Sequence, residues 1–338
     1  MGAAQHGGMK RLLDAPHRIF FFAAAVQILL ASAWWAATLG ARAAGWAFAM
    51  PSGLPATNVH ALLMIYGFFP LFIFGFLFTA GPRWLEQPGP GRGAYAIPAL
   101  VSAGAAWLLL PALCVGAEVA AAVLLALILA WGWMLARFVR LIVASRVADR
   151  VHPILTVVAL GFGIAGLAAA RLWLLTGSAA WAGAMEALGL WFFLVPLFAT
   201  VSHRMIPFFT ANVVPYVTPW RPVWTLATLL EASVLHGALV IADAADWTWI
   251  VDLPAGVLAG YLAVRWGFAK SLRNRMLAML HIAFAWMAAM WALHALQSLL
   301  VFNGVAALGL APIHALSIGF LASLTLAMVS RVSCGHSG

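Results

Sequence analysis

Long apolar runs of about twenty residues recur from one end of this chain to the other, with short polar segments between them. A run of this length crosses the roughly 30 Å hydrocarbon layer of a bilayer as an α-helix. The composition agrees, because 65% of the 338 residues are hydrophobic and only 8% are charged, whereas soluble domains carry about 25% charged residues. A transmembrane barrel would show weaker alternation in segments of about ten residues. The chain is therefore predicted to be a polytopic helical membrane protein.

The positions of the apolar runs predict an all-α transmembrane bundle of about ten helices. We expect them over residues 19–39, 58–80, 94–114, 117–137, 153–175, 181–202, 223–243, 248–268, 277–301 and 310–330. With residues 1–18 as a cytoplasmic tail, only Arg42 and Arg171 of the 18 Lys and Arg residues fall towards the outside. This asymmetry follows the positive-inside rule. Both ends of the chain are therefore expected in the cytoplasm.

The formal net charge of +9 raises the question of nucleic-acid binding. Such binding needs basic residues gathered on one face or in one stretch. Here the basic residues are spread over alternate loops, which topology explains. The distribution excludes nucleic acid as the partner and indicates the lipid bilayer instead.

Ten histidines against nine acidic residues are the unusual polar feature of the chain. Counting 1.5 Å per helical residue places four of them within roughly 10 Å of the outer edge of the hydrocarbon; these are His60, His236, His294 and His314. A second, looser group borders the inner side and includes His203, His281 and His336. Met64 lies one helical turn after His60 and adds a thioether sulfur.

Histidines on different helices at one depth predict metal ligation. Imidazole binds haem iron and copper, and thioether sulfur binds Cu(I). The alternative is that each histidine lies at a helix end, where an amphipathic ring is stable at the membrane interface without any metal. Both interpretations stay open on the sequence alone, and the pattern assigns no catalytic residue.

Three charged residues inside predicted helices are further candidates for a functional or pairing role. Glu231 lies about 12 Å into the seventh helix, where it is either a protonated structural acid or a member of a proton relay. Arg171 and Glu186 lie at similar outer depth on consecutive helices. They are predicted to form an ion pair.

Several stretches resemble the motifs of the NnrS family, in order, from about residue 17 to the end of the chain. They are His17-Arg18-Ile19-Phe20-Phe21, Gly75-Phe76-Leu77-Phe78-Thr79-Ala80-Gly81-Pro82-Arg83-Trp84, Arg204-Met205-Ile206-Pro207-Phe208-Phe209-Thr210, Leu280-His281 with Trp286, and His314-Ala315-Leu316 with Gly319. The last motif runs on to Met328-Val329-Ser330-Arg331 and Gly335-His336-Ser337-Gly338. The order and spacing of these motifs carry the resemblance.

The resemblance implies a haem- and copper-containing protein of the bacterial cytoplasmic membrane, linked to nitric oxide metabolism, denitrification and nitric oxide tolerance. The haem would be b-type and held without covalent bonds, because the chain has no Cys-x-x-Cys-His segment. The expected partner is nitric oxide or a related nitrogen oxide. Two alternatives remain, a secondary transporter of a small solute and a metal-free structural subunit of a respiratory membrane complex.

The sequence departs from the family pattern in two places. Family members often show His-x-His-Glu-Met where this chain has His60-Ala61-Leu62-Leu63-Met64, so the outer site is expected to differ. Members usually continue by about two more helices after the final Gly-His-x-Gly segment. Residues 19–338 are therefore expected to form an NnrS-like transmembrane domain that lacks those last two helices.

Overall fold

The structure, a computed structural model, describes residues 12–46, 53–215, 218–305 and 308–336, and their regular secondary structure is helical. We number the ten main helices α1 to α10. They span Pro16–Ala43, Ala56–Trp84, Arg92–Val115, Ala117–Ala144, Val151–Thr176, Ala179–Val213, Val223–Ile241, Trp249–Arg265, Arg275–Phe302 and Ala311–Gly335. Over these residues, nine helices are long and apolar enough to cross a membrane. This confirms the predicted polytopic all-α fold.

Helix α8 is the exception, because it has only 17 residues, about 26 Å of helix. It ends at Arg265, three residues before the predicted end of the span. Gly267 follows with φ +96°, a left-handed conformation that favours glycine and ends the helix. A short helical turn, Phe268–Ser271, leads on towards α9.

Large apolar side chains cover the outward faces of several helices. Leu29, Leu129, Val143 and Val264 are 70%, 66%, 76% and 77% exposed, respectively. Soluble monomers rarely expose contiguous apolar surface on this scale. These faces therefore suit contact with lipid.

The described chain forms two compact units, with a boundary that falls after Gly189, inside α6. In the first unit, Met1–Gly189, α3 packs against α4, α4 against α5, and α1 against α2. Helix α2 has the largest buried share of any candidate span, 89% of its most apolar window. Its side chains are therefore the ones most constrained by packing.

Tyr66 of α2 is an example of that close packing in the first unit. Its ring is 1% exposed, and its hydroxyl donates a hydrogen bond of 2.7 Å to the Met185 carbonyl. A Cβ at Gly166 would lie 1.9 Å from the Tyr66 hydroxyl oxygen, and a Cβ at Gly189 would lie 2.6 Å from it. The two glycines therefore make room for this ring.

Gly166→Ala is expected to destabilise the protein by about 1–3 kcal/mol, the range for forcing an extra methyl group into a packed core. The measurement is thermal unfolding of the purified protein in detergent. The matched control is Gly161→Ala on the same helix, where a Cβ meets nothing within 4 Å. Equal unfolding temperatures for the two variants would contradict the close packing of Gly166 against the Tyr66 ring.

The second unit, Leu190–Gly338, is built around α9. Helix α9 packs against α8, against α10 and against the Val195–Val213 part of α6. Helix α7 packs against α8 and against the same part of α6. Side chains from α6, α7, α8 and α9 can therefore meet inside this unit.

Three of the helices contain a π-helical segment, Leu63–Phe68 in α2, Leu188–Leu194 in α6 and Ala315–Ala322 in α10. A π-helical turn accommodates an extra residue and rotates the side chains that follow it by about 100° relative to a regular helix. Such segments are frequent at functional sites. Each one here begins within three residues of His60, Glu186 or His314.

Candidate functional site, a buried histidine–tryptophan cluster

Five side chains from four helices form a cluster in the second unit. Trp191 comes from α6, His236 from α7, Asp252 from α8, and Trp291 and His294 from α9. Trp291 and Asp252 are fully buried, and Trp191 and His236 are each 4% exposed. His294 is partly exposed. We call this group the histidine–tryptophan cluster.

Hydrogen bonds set the tautomers of both histidines. His236 Nδ1 lies 2.7 Å from Asp252 Oδ1, and His294 Nδ1 lies 2.8 Å from the Met290 carbonyl oxygen. A carboxylate and a carbonyl can only accept, so each Nδ1 carries the proton and donates. In a neutral imidazole the other nitrogen, Nε2, then has a free lone pair. The cluster therefore contains two imidazoles whose Nε2 atoms are suited to bind a metal.

The aromatic rings hold the two imidazoles close together. The ring centroids of His236 and His294 are 5.3 Å apart, with the planes at 85°. Trp191 contacts both, at 3.6 Å from His236 and 5.1 Å from His294, and Trp291 lies 6.0 Å from His236. These contacts restrict the rotation of both imidazole rings.

Two small residues of α7 allow α6 to approach this site. A Cβ at Gly237 would lie 2.5 Å from Phe192 Cε2 and 2.7 Å from Trp191 Cβ, so only glycine permits the observed approach. Ser233, one turn before Gly237, donates a hydrogen bond of 2.6 Å to the Trp191 carbonyl. That carbonyl belongs to the π-helical segment of α6. Ser233 therefore fixes the backbone that carries Trp191.

Ser233→Ala is expected to cost about 1–3 kcal/mol of stability, because it leaves a buried acceptor without its donor. The measurement is the denaturation midpoint of the purified protein. Thr228→Ala on the same helix is the control, since the exposed Thr228 hydroxyl bonds only the carbonyl of Trp224. If Ser233→Ala lowers the denaturation midpoint no more than Thr228→Ala does, Ser233 does not stabilise the α6 backbone at Trp191.

Within the part of the chain that the structure describes, no three His, Cys, Asp or Glu side chains are arranged to hold a metal ion. The cluster instead offers two imidazole nitrogens, with Asp252 behind one of them. Imidazole nitrogen is a ligand of both copper and haem iron. The ring centroids of His236 and His294, 5.3 Å apart, lie within the separation that two imidazole ligands of one metal ion can have.

The other two histidines of the predicted outer layer lie outside the cluster. His314 is exposed at the start of α10, and its Nδ1 donates 2.8 Å to the Leu310 carbonyl. His60 belongs to the first unit, where its ring stacks on Trp35 at 4.4 Å and 12°. Met64 follows in the π-helical segment of α2 and is half-buried. The ligand roles of these three residues stay predictions.

His281, of the predicted inner group, is fully buried on α9. The Thr210 hydroxyl donates to the Ile206 carbonyl at 2.8 Å, so its oxygen accepts from His281 Nε2 at 2.9 Å. His281 Nδ1 is then the nitrogen with the lone pair, and it has no hydrogen-bond partner among the described residues. His281 therefore has the opposite tautomer to the cluster histidines.

The remaining inner histidines lie at other places in the second unit. His203 is buried on α6, and its Nε2 lies 3.1 Å from Thr225 Oγ1 and 3.2 Å from the Pro222 carbonyl. His336 ends the helical segment Ser323–His336. Their ligand roles stay predictions.

The structure also locates the three charged residues that were predicted to matter inside helices. Glu231 is exposed on α7, outside the histidine–tryptophan cluster. Glu186 is half-buried and accepts a hydrogen bond of 2.8 Å from the Asn58 amide. Arg171 is half-buried, and its Nε is buried without a hydrogen-bond partner among the described residues. The ion pair of Arg171 with Glu186 and the proton-relay role of Glu231 stay predictions.

Sequence reasoning did not identify Asp252, Trp191 or Trp291 as site residues. One signal for Asp252 was available, since it is an acidic residue inside an apolar run, where such residues are functional candidates by default. Nothing in the sequence distinguishes the two tryptophans from the other tryptophans of the chain, which has 17 in total.

The family model described as NnrS protein matches residues 11–338. No curated protein and no solved structure matches the chain.

Proposed function

Because this chain belongs to the NnrS family, we propose that it acts in the response to nitric oxide or in its detoxification, as a copper- and haem-containing protein of the bacterial cytoplasmic membrane. The assignment of copper to this cluster is based on one observation. Two imidazoles, His236 and His294, lie 5.3 Å apart with both Nδ1 atoms used as donors. This leaves both Nε2 atoms to bind copper.

Copper would supply a redox-active ion that binds a nitrogen oxide or exchanges an electron with it. The protein's own residues hold the ligands. Asp252 and the Met290 carbonyl keep the protons on the Nδ1 atoms, and Trp191 packs against both imidazole rings. The burial of four of the five side chains limits access of water to the site.

The proposed haem is assigned to histidines elsewhere in the chain, because His236 and His294 are assigned to copper. The histidines available for it are those outside the cluster: His60, His203, His281, His314 and His336. His281 has a buried Nδ1 lone pair without a partner among the described residues, which supports a ligand role. Haem ligation through histidine would set the reduction potential of the iron together with its burial.

The test is metal analysis of the full-length protein purified in detergent. A reduced-minus-oxidised spectrum measures b-type haem, and elemental analysis measures copper per chain. We expect both at stoichiometric level. Protein with neither metal would overturn the proposal and favour a transporter or a metal-free structural subunit.

A further inference from the structure

Asp252 is the acidic residue among the five side chains of the histidine–tryptophan cluster. We propose that it is a positioning residue for the metal site, which holds His236 in the ligand tautomer and supplies the negative charge that favours a cation there. The inference rests on the proposed copper site. It assigns a separate role to a residue that does not itself touch the metal.

The hydrogen bond between His236 and Asp252 supports this role. The distance of 2.7 Å between His236 Nδ1 and Asp252 Oδ1 is that of a charge-assisted bond. If the carboxylate were absent, the Nδ1 proton would lose its acceptor, and the tautomer with the proton on Nε2 would become accessible. That tautomer cannot bind a metal through Nε2. Metal-binding histidines commonly have such a partner, and its loss costs about 10–100-fold in metal affinity.

The burial of the Asp252 side chain also supports this role. The Asp252 side chain is 0% exposed, and its second oxygen, Oδ2, has no hydrogen-bond partner among the described residues. A buried carboxylate is costly unless a positive charge compensates it. A cation on His236 Nε2 would provide that charge through the ring. The carboxylate therefore favours a positive charge at His236 Nε2, which a metal cation or a proton can carry.

The position of Asp252 on its helix adds to this electrostatic effect. It lies in the first turn of α8, where the positive end of the helix dipole stabilises a carboxylate. Gly256 follows one turn later, and its Cβ would lie 3.3 Å from Trp291 Cβ. Helix α8 therefore runs close to α9 at the level of the cluster, which places Asp252 beside the aromatic rings.

The experiment compares Asp252→Ala and Asp252→Asn with the wild type in two assays. Competition with a chromophoric chelator measures Cu(I) affinity, and X-ray absorption measures the number of imidazole ligands. Asp252→Ala is expected to weaken Cu(I) binding by about 10–100-fold and to lower the imidazole count. In Asp252→Asn the amide oxygen still accepts from Nδ1 but carries no charge, so a smaller loss with an unchanged imidazole count is expected.

Two controls separate positioning from folding. Asp246→Ala removes another acidic side chain six residues earlier, outside the cluster, and should leave Cu(I) affinity unchanged. Asp252→Asn, which keeps an acceptor for His236 Nδ1, should retain the wild-type imidazole count although it loses the charge. A fall in its imidazole count equal to that of Asp252→Ala would show a general structural effect and would overturn the inference.

The outcomes also distinguish this inference from the proposed function. A wild type that binds no copper overturns both. A wild type that binds copper, with Asp252→Ala unchanged in affinity and imidazole count, overturns the Asp252 role alone. If Asp252→Ala does not fold, Asp252→Asn decides, since unchanged Cu(I) affinity in that folded variant would refute the role of the charge.

Discussion

His236→Ala and His294→Ala are each expected to abolish stoichiometric copper binding. Each variant removes one of the two imidazoles that the cluster offers, and the remaining nitrogen cannot hold the ion alone. The loss in Cu(I) affinity should exceed the roughly 100-fold upper value for losing only a hydrogen-bond partner of a ligand. Copper content per purified chain and Cu(I) competition provide the measurement.

His152→Ala is the matched control for both variants. His152 is also a buried histidine, but it lies at the start of α5 in the first unit, outside the cluster. This variant should keep its copper. Its free energy of unfolding should fall by a similar amount, because it also removes a buried imidazole. Full copper occupancy in both cluster variants would refute the assignment of His236 and His294 as ligands.

Trp191→Ala is expected to destabilise the protein by about 3–5 kcal/mol, the range for truncating a buried aromatic side chain. The indole ring is 4% exposed and contacts both imidazoles and Trp291. Its removal should also weaken copper binding, because the two imidazoles lose the ring that restricts them. Chemical denaturation in detergent and Cu(I) competition measure the two effects.

Trp224→Ala is the control for this change. Trp224 is 57% exposed on α7, so its truncation leaves no cavity, and a change within about 0.5 kcal/mol is expected. Similar losses for the two variants would show that Trp191 contributes only the general cost of removing a tryptophan.

Much of the fold could be predicted because each helix is determined by a local run of apolar residues. The predicted segment 153–175 corresponds to α5, Val151–Thr176, and 277–301 corresponds to α9, Arg275–Phe302. The end of α8 was predicted less well, since Gly267 lies next to apolar residues and its left-handed backbone is not visible in hydropathy. The three π-helical segments have no hydropathy signal either, because they add one residue without changing composition.

The candidate site could be predicted only in part. Depth along a helix follows from residue counting, and it placed His236 and His294 at one outer level together with His60 and His314. Depth does not say which helices are neighbours or which way a side chain faces. The structure puts His236 and His294 in contact and leaves His314 exposed. Glu231, which the sequence predicted to be a structural acid or a member of a proton relay, lies on an exposed face of α7.

The sequence by itself determined the class of this protein, its helices and its family, because apolar length and ordered motifs are properties of contiguous residues. Only the tertiary structure decided that Asp252 bonds His236 and that Trp191 packs against two histidines. These contacts join helices whose approach depends on residues such as Gly237 and Gly256, where a Cβ would collide with or crowd the next helix. Interactions of this kind arise from the packing of distant segments, and hydropathy along one segment carries no information about them.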